Sequence, residues 1–387
     1  MSISIKKKIM FIKKTTCYLY VQLALCFFTS SFLFAQNEDE SHGAYTEVYI
    51  QRIFGEKDSN HDGNYDKKEL GDIWEKNASL DKNQDDILTP NELKNIDINY
   101  LDSKGEKKLN ILYKKTTEED LYLDIYYPTN RKKGDKLPVV IYTHGGGWTI
   151  GSKQGISYHS FRTVALALLE KGFCVVSINY RLWDKTGTTT MRDCVIDAKD
   201  GMRYLSKNET ELGLNKNRFY SFGDSAGGQM AQMLLLSSPK SLTGDVTLAK
   251  YPYKMVAAVS WYGPCDFEKT ELFNYNDSPN FHDRFGPRII NSNTNPKDKL
   301  LLYREMSPIN YLQKSSAPLL MIQGDKDTTI PVKHAYYMDE KAKKIGAPVT
   351  TVIIKNAGHN WRKVDDDIFP AREAIEKMTI DFFVSHL

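Results

Sequence analysis

Phe219 Tyr220 Ser221 Phe222 Gly223 Asp224 Ser225 Ala226 Gly227 Gly228 Gln229 Met230 Ala231 carries the sharpest signal in the chain: an apolar strand, a serine between two glycines, and the start of a helix. Gly223 and Gly227 bracket Ser225 as G-x-S-x-G. Absent β-carbons there let the chain turn sharply and hold the serine hydroxyl clear of the sheet. A hydroxyl placed so can attack an electrophile.

The flanking sequence fits that turn into a sheet. Leu109 to Lys115 and Leu121 to Tyr127 alternate as a hairpin, and Leu137 to Thr143 is an apolar run suited to a strand buried on both faces. Further strands are expected at Phe173 to Asn179, Arg218 to Gly223, Val256 to Trp261, Leu319 to Gln323 and Val349 to Lys355. Helices are expected at Ser157 to Lys171, Met191 to Lys207, Ala226 to Ser237, Val332 to Ile345 and Ala371 to Ser385. This alternation implies an α/β class: a doubly wound, mainly parallel eight-stranded sheet that binds ligands outside the carboxyl ends of its strands.

The chemically capable residues follow those strand ends. Ser225 follows the fifth strand, Asp325 and Asp327 the seventh, and His359 the eighth. A serine hydroxyl needs an imidazole to take its proton, and the imidazole needs a carboxylate to hold its tautomer. Spacing leaves Asp325 and Asp327 both open as that carboxylate. After the third strand, His144 Gly145 Gly146 Gly147 Trp148 offers consecutive backbone amides that, with the amide of Ala226, could hold a developing oxyanion.

Together these motifs resemble a known family. Residues from about 106 to 387 are similar to the α/β-hydrolase fold, most of all to the hormone-sensitive-lipase-like esterases and, within them, the bifunctional feruloyl and acetylxylan esterases. The matching motifs are HGGGW at 144–148, NYRL at 179–182, GDSAGG at 223–228, SWYGPCD at 260–266, QGDKDTTIP at 323–331 and AGH at 357–359. The resemblance implies Ser225 as nucleophile, His359 as general acid and base, Asp327 as the triad acid, and Gly146, Gly147 and Ala226 as oxyanion donors. It makes Asp325 a loop residue, gives His144 a bond to the glycine turn, and assigns Asp224 no chemical step. No organic cofactor is implied. The segment from Gly263 to Ala317 has no clear periodicity and is expected to cover the pocket, with Phe273, Tyr275, Phe281, Phe285, Trp183, Tyr262 and Trp361 as candidate lining residues.

Ahead of this region, Asp58, Asn60, Asp62, Asn64, Asp66 and Glu69 fill positions 1, 3, 5, 7, 9 and 12 of an EF-hand loop, with Gly63 at the sharp turn. Asp81, Asn83, Asp85, Ile87 (through its carbonyl), Thr89 and Glu92 repeat the register 23 residues later. There Asp86 replaces the turn glycine, which predicts strain and a weaker second site. Residues 44–104 are therefore expected to form a compact α-helical calcium-binding pair in which one helix, near Lys67 to Ala78, joins the loops. The pair resembles bacterial EF-hand modules such as dockerins, though its loops are closer together. Calcium is expected to help the small unit fold; a protein partner docking there has no support in the residues.

The first 35 residues carry Lys6, Lys7, Lys8, Lys13 and Lys14 and no acid, followed by an apolar stretch from Cys17 to Phe34. This reads as a signal peptide cut after Ala35, giving a secreted, periplasmic or cell-surface protein; an uncleaved anchor is the alternative. Leu25 stands where a lipid-attachment motif before Cys26 wants a small residue. Removing five lysines takes the net charge from +3 to −2, which leaves no basic excess for nucleic acid. Three cysteines would remain, Cys174, Cys194 and Cys265, an odd number that cannot all pair internally.

These readings converge on a serine esterase removing acetyl or feruloyl groups from polysaccharide. A general short-chain esterase or lipase shares every motif. From another class, a calcium-dependent scaffold with an inactive hydrolase body is the rival. A propeller-bearing peptidase would need several hundred more residues, and a zinc deacetylase would need closely spaced histidine ligands.

Overall fold

The computed structural model describes residues 44–291 and 293–387. The expected signal peptide, 1–35, lies outside them. The chain divides into two compact units, 1–47 and 48–387. Of the first, 44–47 are described and are helical.

In the second unit, residues 48–54 are helical and two short strands, β1 (Tyr65–Asp66) and β2 (Ile87–Leu88), pair antiparallel with Tyr65 opposite Leu88. Phe54, Tyr65, Leu70, Trp74, Leu88 and Leu93 form a small apolar cluster around them. The expected helix near 67–78 is broken into Lys67–Leu70, a 3-10 turn at Gly71–Ile73, and Trp74–Asn77. The cause is Gly71, whose φ of 50° leaves the right-handed helical region. Residues 48–104 belong to the same compact unit as the large sheet. Leu101 is buried in one of that sheet's apolar clusters, and Asp102 pairs with Arg162 at 2.5 Å.

The sheet is built from β3 (Lys107–Lys115), β4 (Asp120–Tyr126), β5 (Leu137–Thr143), β6 (Cys174–Ile178), β7 (Leu214–Asp224), β8 (Met255–Trp261), β9 (Leu319–Gly324) and β10 (Val349–Ile354). Its order is β10-β9-β8-β7-β5-β6-β4-β3. The pairs β3–β4 and β4–β6 are antiparallel and the rest parallel. Strand periodicity divides the core: Val139 and Ile141 of β5 face one apolar cluster, while Val140 and Tyr142 face the other. Helices Met191–Lys207 and Ala226–Leu236 cover the first face, and His159–Glu170 and Arg372–Ser385 the second. A capping box between Thr190 and Asp193 starts the Met191 helix.

The expected helices and strands appear within a few residues of their places. One extension is at β7, which begins at Leu214 because that residue already pairs with Leu137. The segment after β8 contains a helix at Lys299–Met306 that the sequence does not announce. Cys174, Cys194 and Cys265 are buried and unpaired. Among the described residues no helix is long and apolar enough to cross a membrane.

Candidate active site

Ser225 sits where β7 ends and the helix Ala226–Leu236 begins, with φ 52° and ψ −117°. The strain falls on the serine rather than on the flanking glycines. Gly223 and Gly227 are needed for close approach: a β-carbon on Gly223 would strike the Gly227 carbonyl, and one on Gly227 would strike the Thr143 carbonyl. The turn is pinned to the next strand by the Ser225 amide, which donates to Trp261 O at 2.9 Å.

Three distant loops meet there. Ser225 Oγ lies 3.0 Å from His359 Nε2, and His359 Nδ1 lies 2.7 Å from Asp327 Oδ2. Asp327 is buried and also accepts from the amides of Thr329 and Ile330 and from Gln323 Nε2. These bonds fix the carboxylate before any ligand arrives. Of the two aspartates left open by spacing, Asp327 touches the imidazole; Asp325 does not, and its Oδ1 is buried without a partner. Tyr262 packs edge-on against the His359 ring with centroids 4.8 Å apart.

The glycine turn lies against this group. Gly146 and Gly147 take φ values of 112° and 61°, which a side chain would resist. Among the described residues their amides donate to no protein group, and the Ala226 amide belongs to the first helical turn, where intrahelical partners are lacking. The turn is held from behind. Asp224 Oδ1 accepts from the Gly145 amide at 2.9 Å and from the Tyr142 hydroxyl at 3.0 Å. Burial pushes the Asp224 carboxyl up to about 6. His144 Nδ1 is 2.7 Å from Gly145 O, as expected for a residue that braces the turn, and burial lowers its imidazole to about 3.

A further brace was not legible in the sequence. Arg52 comes from the helical segment that precedes the acidic loops, and its buried guanidinium donates to Tyr180 O at 3.0 Å and to Gly151 O at 3.0 Å. It also pairs with Glu119 at 2.9 Å and reaches His144 Nε2 at 3.4 Å. Nothing in its local sequence marks it, because all of these partners lie more than sixty residues away.

The cavity that opens onto Ser225 and His359 has a volume of about 390 Å³ and is also bordered by Arg284, Phe285, Arg288 and Thr329. Of the aromatic residues expected to line it, Phe285 does. Trp183 lines a neighbouring cavity of about 410 Å³ with Tyr303. Tyr262 and Trp361 border a third cavity, Phe273 is buried against Phe267 and Phe285, and Tyr275 is exposed. The segment reaches the site through its arginines more than through its rings.

The acidic residues expected to bind calcium hold their own loops. Asp58 accepts from the amides of Asp62 and Gly63, and Glu69 accepts from those of Ser59 and Asp66. In the second loop Asp81 accepts from Asp85 and Asp86, and Glu92 from Lys82 and Thr89. Gly63 has φ 79° and Asp86 φ 59°, so the aspartate adopts the left-handed turn that its position requires. Among the described residues no three His, Cys, Asp or Glu side chains converge as a metal-holding group.

Residues 123–342, more than half of the chain, match the BD-FAE family model. Among curated proteins the chain is 25% identical over 246 residues to esterase LipQ of Mycobacterium tuberculosis, covering 61% of this chain and 53% of that one. It is 23% identical over 270 residues to the probable carboxylic ester hydrolase LipM of the same organism, covering 69% and 58%. The chain thus spans about half the length of these curated relatives. Among solved structures, Thermogutta terrifontis esterase 2 bound to butyrate superposes with a TM-score of 0.58 at 23% identity, covering 73% of this chain and 94% of that one. That likeness establishes the α/β-hydrolase fold. With the matched region running from β4 to the helix after β9, the chain belongs to the BD-FAE family.

Proposed function

We propose that this chain is an exported serine carboxylesterase that removes acetyl or feruloyl groups from polysaccharide. The observation that carries the reading is the Ser225–His359–Asp327 relay, with contacts of 3.0 and 2.7 Å, opening onto a cavity beside Gly146 and Gly147. In this reading Ser225 Oγ attacks the ester carbonyl as its proton passes to His359 Nε2, and Asp327 stabilises the imidazolium that forms. The amides of Gly146, Gly147 and Ala226 receive the oxygen as it becomes negative, each such donor being worth roughly 3 kcal/mol. His359 then protonates the departing alcohol. It next deprotonates the water that releases the acid from Ser225.

Ester hydrolysis is supported by the names of the relatives; the polysaccharide substrate rests on the resemblance and on the expected signal peptide. Incubating the purified protein with acetylated and feruloylated polysaccharides should release acetate or ferulate. Preference for long-chain p-nitrophenyl esters without acid release from either glycan would replace this substrate with a lipid. Full activity in Ser225→Ala would remove the serine mechanism and favour an inactive hydrolase body.

A second proposal concerns the acidic loops, which we assign to calcium. Asp58, Asn60, Asp62, Asp66, Glu69 and the Asn64 carbonyl would hold one ion; Asp81, Asn83, Asp85, Thr89, Glu92 and the Ile87 carbonyl a second. An all-oxygen donor set suits a hard cation. The pairing of Tyr65 with Leu88 and the left-handed turns at Gly63 and Asp86 support the reading. Glu69 already reaches back across its loop to the Ser59 and Asn60 amides, and Glu92 to the Lys82 amide, so an ion would compete for carboxylates that now hold their own turns. The ion would supply folding energy to the local cluster.

A further inference from the structure

Arg284 and Arg288 both border the cavity in front of Ser225. Neither is joined to a carboxylate among the described residues. Arg284 is exposed, and its Nη2 reaches only the carbonyl oxygens of Thr328 and Thr329, at 3.4 and 3.3 Å. Arg288 is half-buried and donates from Nη1 to Gly147 O at 2.8 Å. Other arginines of the same region do have ion partners: Arg304 meets Glu268 at 3.0 Å and Arg192 meets Glu305 at 2.7 Å.

The nearby carboxylates are committed elsewhere. Asp283 Oδ1 accepts from the amides of Phe285 and Gly286, and its Oδ2 from the Tyr303 hydroxyl. Asp224 borders the same cavity, but its Oδ1 is taken by the Gly145 amide and the Tyr142 hydroxyl and it pairs with neither arginine. Burial, and then the charge of Arg284, push the Arg288 guanidinium below its ordinary value. Two cations therefore face one cavity with no ion pair of their own, Arg284 lying over the Phe285 ring and Arg288 over the rings of Phe285 and Trp183. Guanidinium groups pair with carboxylates through directed, charge-assisted hydrogen bonds, and partial burial strengthens the attraction.

The geometry points to a substrate class: an ester that also bears a carboxylate, which Arg284 and Arg288 hold while Ser225 attacks the ester carbon. The inference rests on the esterase reading and sharpens it. The carboxylate could belong to the alcohol portion, as in a uronate sugar, or to the acyl portion, as in a dicarboxylic half-ester. The chemistry recognised is the same.

Two matched pairs separate those sources. The alcohol arm compares a mono-acetylated methyl glucuronoside with the matching methyl glucoside by acetate release; the acyl arm compares the p-nitrophenyl monoester of adipate with p-nitrophenyl hexanoate. In at least one arm kcat/KM for the anionic ester should exceed that for the neutral one by about tenfold. Arg284→Gln should bring that ratio close to one, Arg284→Lys should retain part of it, and 0.5 M salt should reduce it. Equal or higher kcat/KM for the neutral ester in both arms would overturn the anion proposal and leave the esterase reading intact. Turnover of no ester at all would sink the esterase reading instead. The arginines are then tested by titration calorimetry of Ser225→Ala with the acetylated glucuronoside and the adipate monoester. Binding about tenfold tighter than in the Ser225→Ala, Arg284→Gln double variant supports the anion site, and equal or absent binding overturns it.

Discussion

At the carboxyl edge of the sheet, Asp327 is 3% exposed and accepts from two amides, a glutamine and His359. In the loops at 58–69 and 81–92, carboxylates crowd near solvent and accept mainly the N–H groups of their own turns. There the amides of Asp66 and Thr89 are the leading cause that holds Glu69 and Glu92 below the usual carboxylate range. The contrast teaches where each region gets its order. The first is prearranged by burial and by contacts from distant strands, so it should tolerate changes of medium and fail on loss of single atoms. The second has little core of its own and should respond to the ions in solution.

The largest break in that contrast should come from Ser225→Ala, which removes the proposed nucleophile: kcat should fall by about 10⁴-fold or more with circular dichroism unchanged. Next is Arg52→Ala, which strips donors from Tyr180 O and Gly151 O and leaves Glu119 without its cation. Truncating a buried charged group that anchors several acceptors costs about 3 kcal/mol, to be read from urea unfolding. Because the same group backs His144, kcat should fall roughly tenfold, the order lost when supporting contacts to a reactive site are removed. A loss confined to stability would show that Arg52 does not position the glycine turn.

The Asp224 carboxyl gives a pH test. Its native value of about 6 lies above that of an unfolded chain, so the unfolded state ionises first as pH rises. The associated stability is full below about pH 4 and lost as pH passes through about 6, a swing of about 3 kcal/mol. Asp224→Asn lacks that titration. Unfolding midpoints from pH 4 to 7 should therefore show the variant gaining on the wild type as pH rises, and parallel curves would contradict the buried ionisation.

The smallest expected effect sharpens the other side. If calcium occupies the acidic loops, 1 mM calcium should stabilise the protein by about 2 kcal/mol, seen as a rise of a few degrees in Tm. Glu69→Gln should remove most of that rise while leaving the Ser225–His359 contact, and hence the kcat of the calcium-free protein, in place. No heat of binding and no change in Tm would end the calcium proposal.

β5 shows why much of the fold could be read early: Leu137 to Thr143 is a nearly unbroken apolar run, which a strand buried on both faces must write into its sequence, and the pleat then sends Val139 and Ile141 to one cluster and Val140 and Tyr142 to the other. The bracketing of Ser225 is equally local, although the glycines answer to neighbouring carbonyls rather than to their own φ. Arg284 and Arg288 carry no such local mark. Two basic residues four apart look like a solvated turn until Gly147, more than a hundred residues away, is seen to accept from one of them.

The order of residues along this chain was enough to establish a doubly wound sheet, a serine turn, a histidine and an aspartate after later strands, and two acidic registers with the spacing of a hard-cation loop. Those features are written in short-range periodicity and spacing. The resemblance already named Asp327 ahead of Asp325; the Asp327–His359 contact itself, the brace from Arg52, and the two cations facing Ser225 came from the folded chain alone. Each is a contact between residues far apart in sequence, made when the strands pair and bring their loops to one edge, and local composition carries no record of that distance.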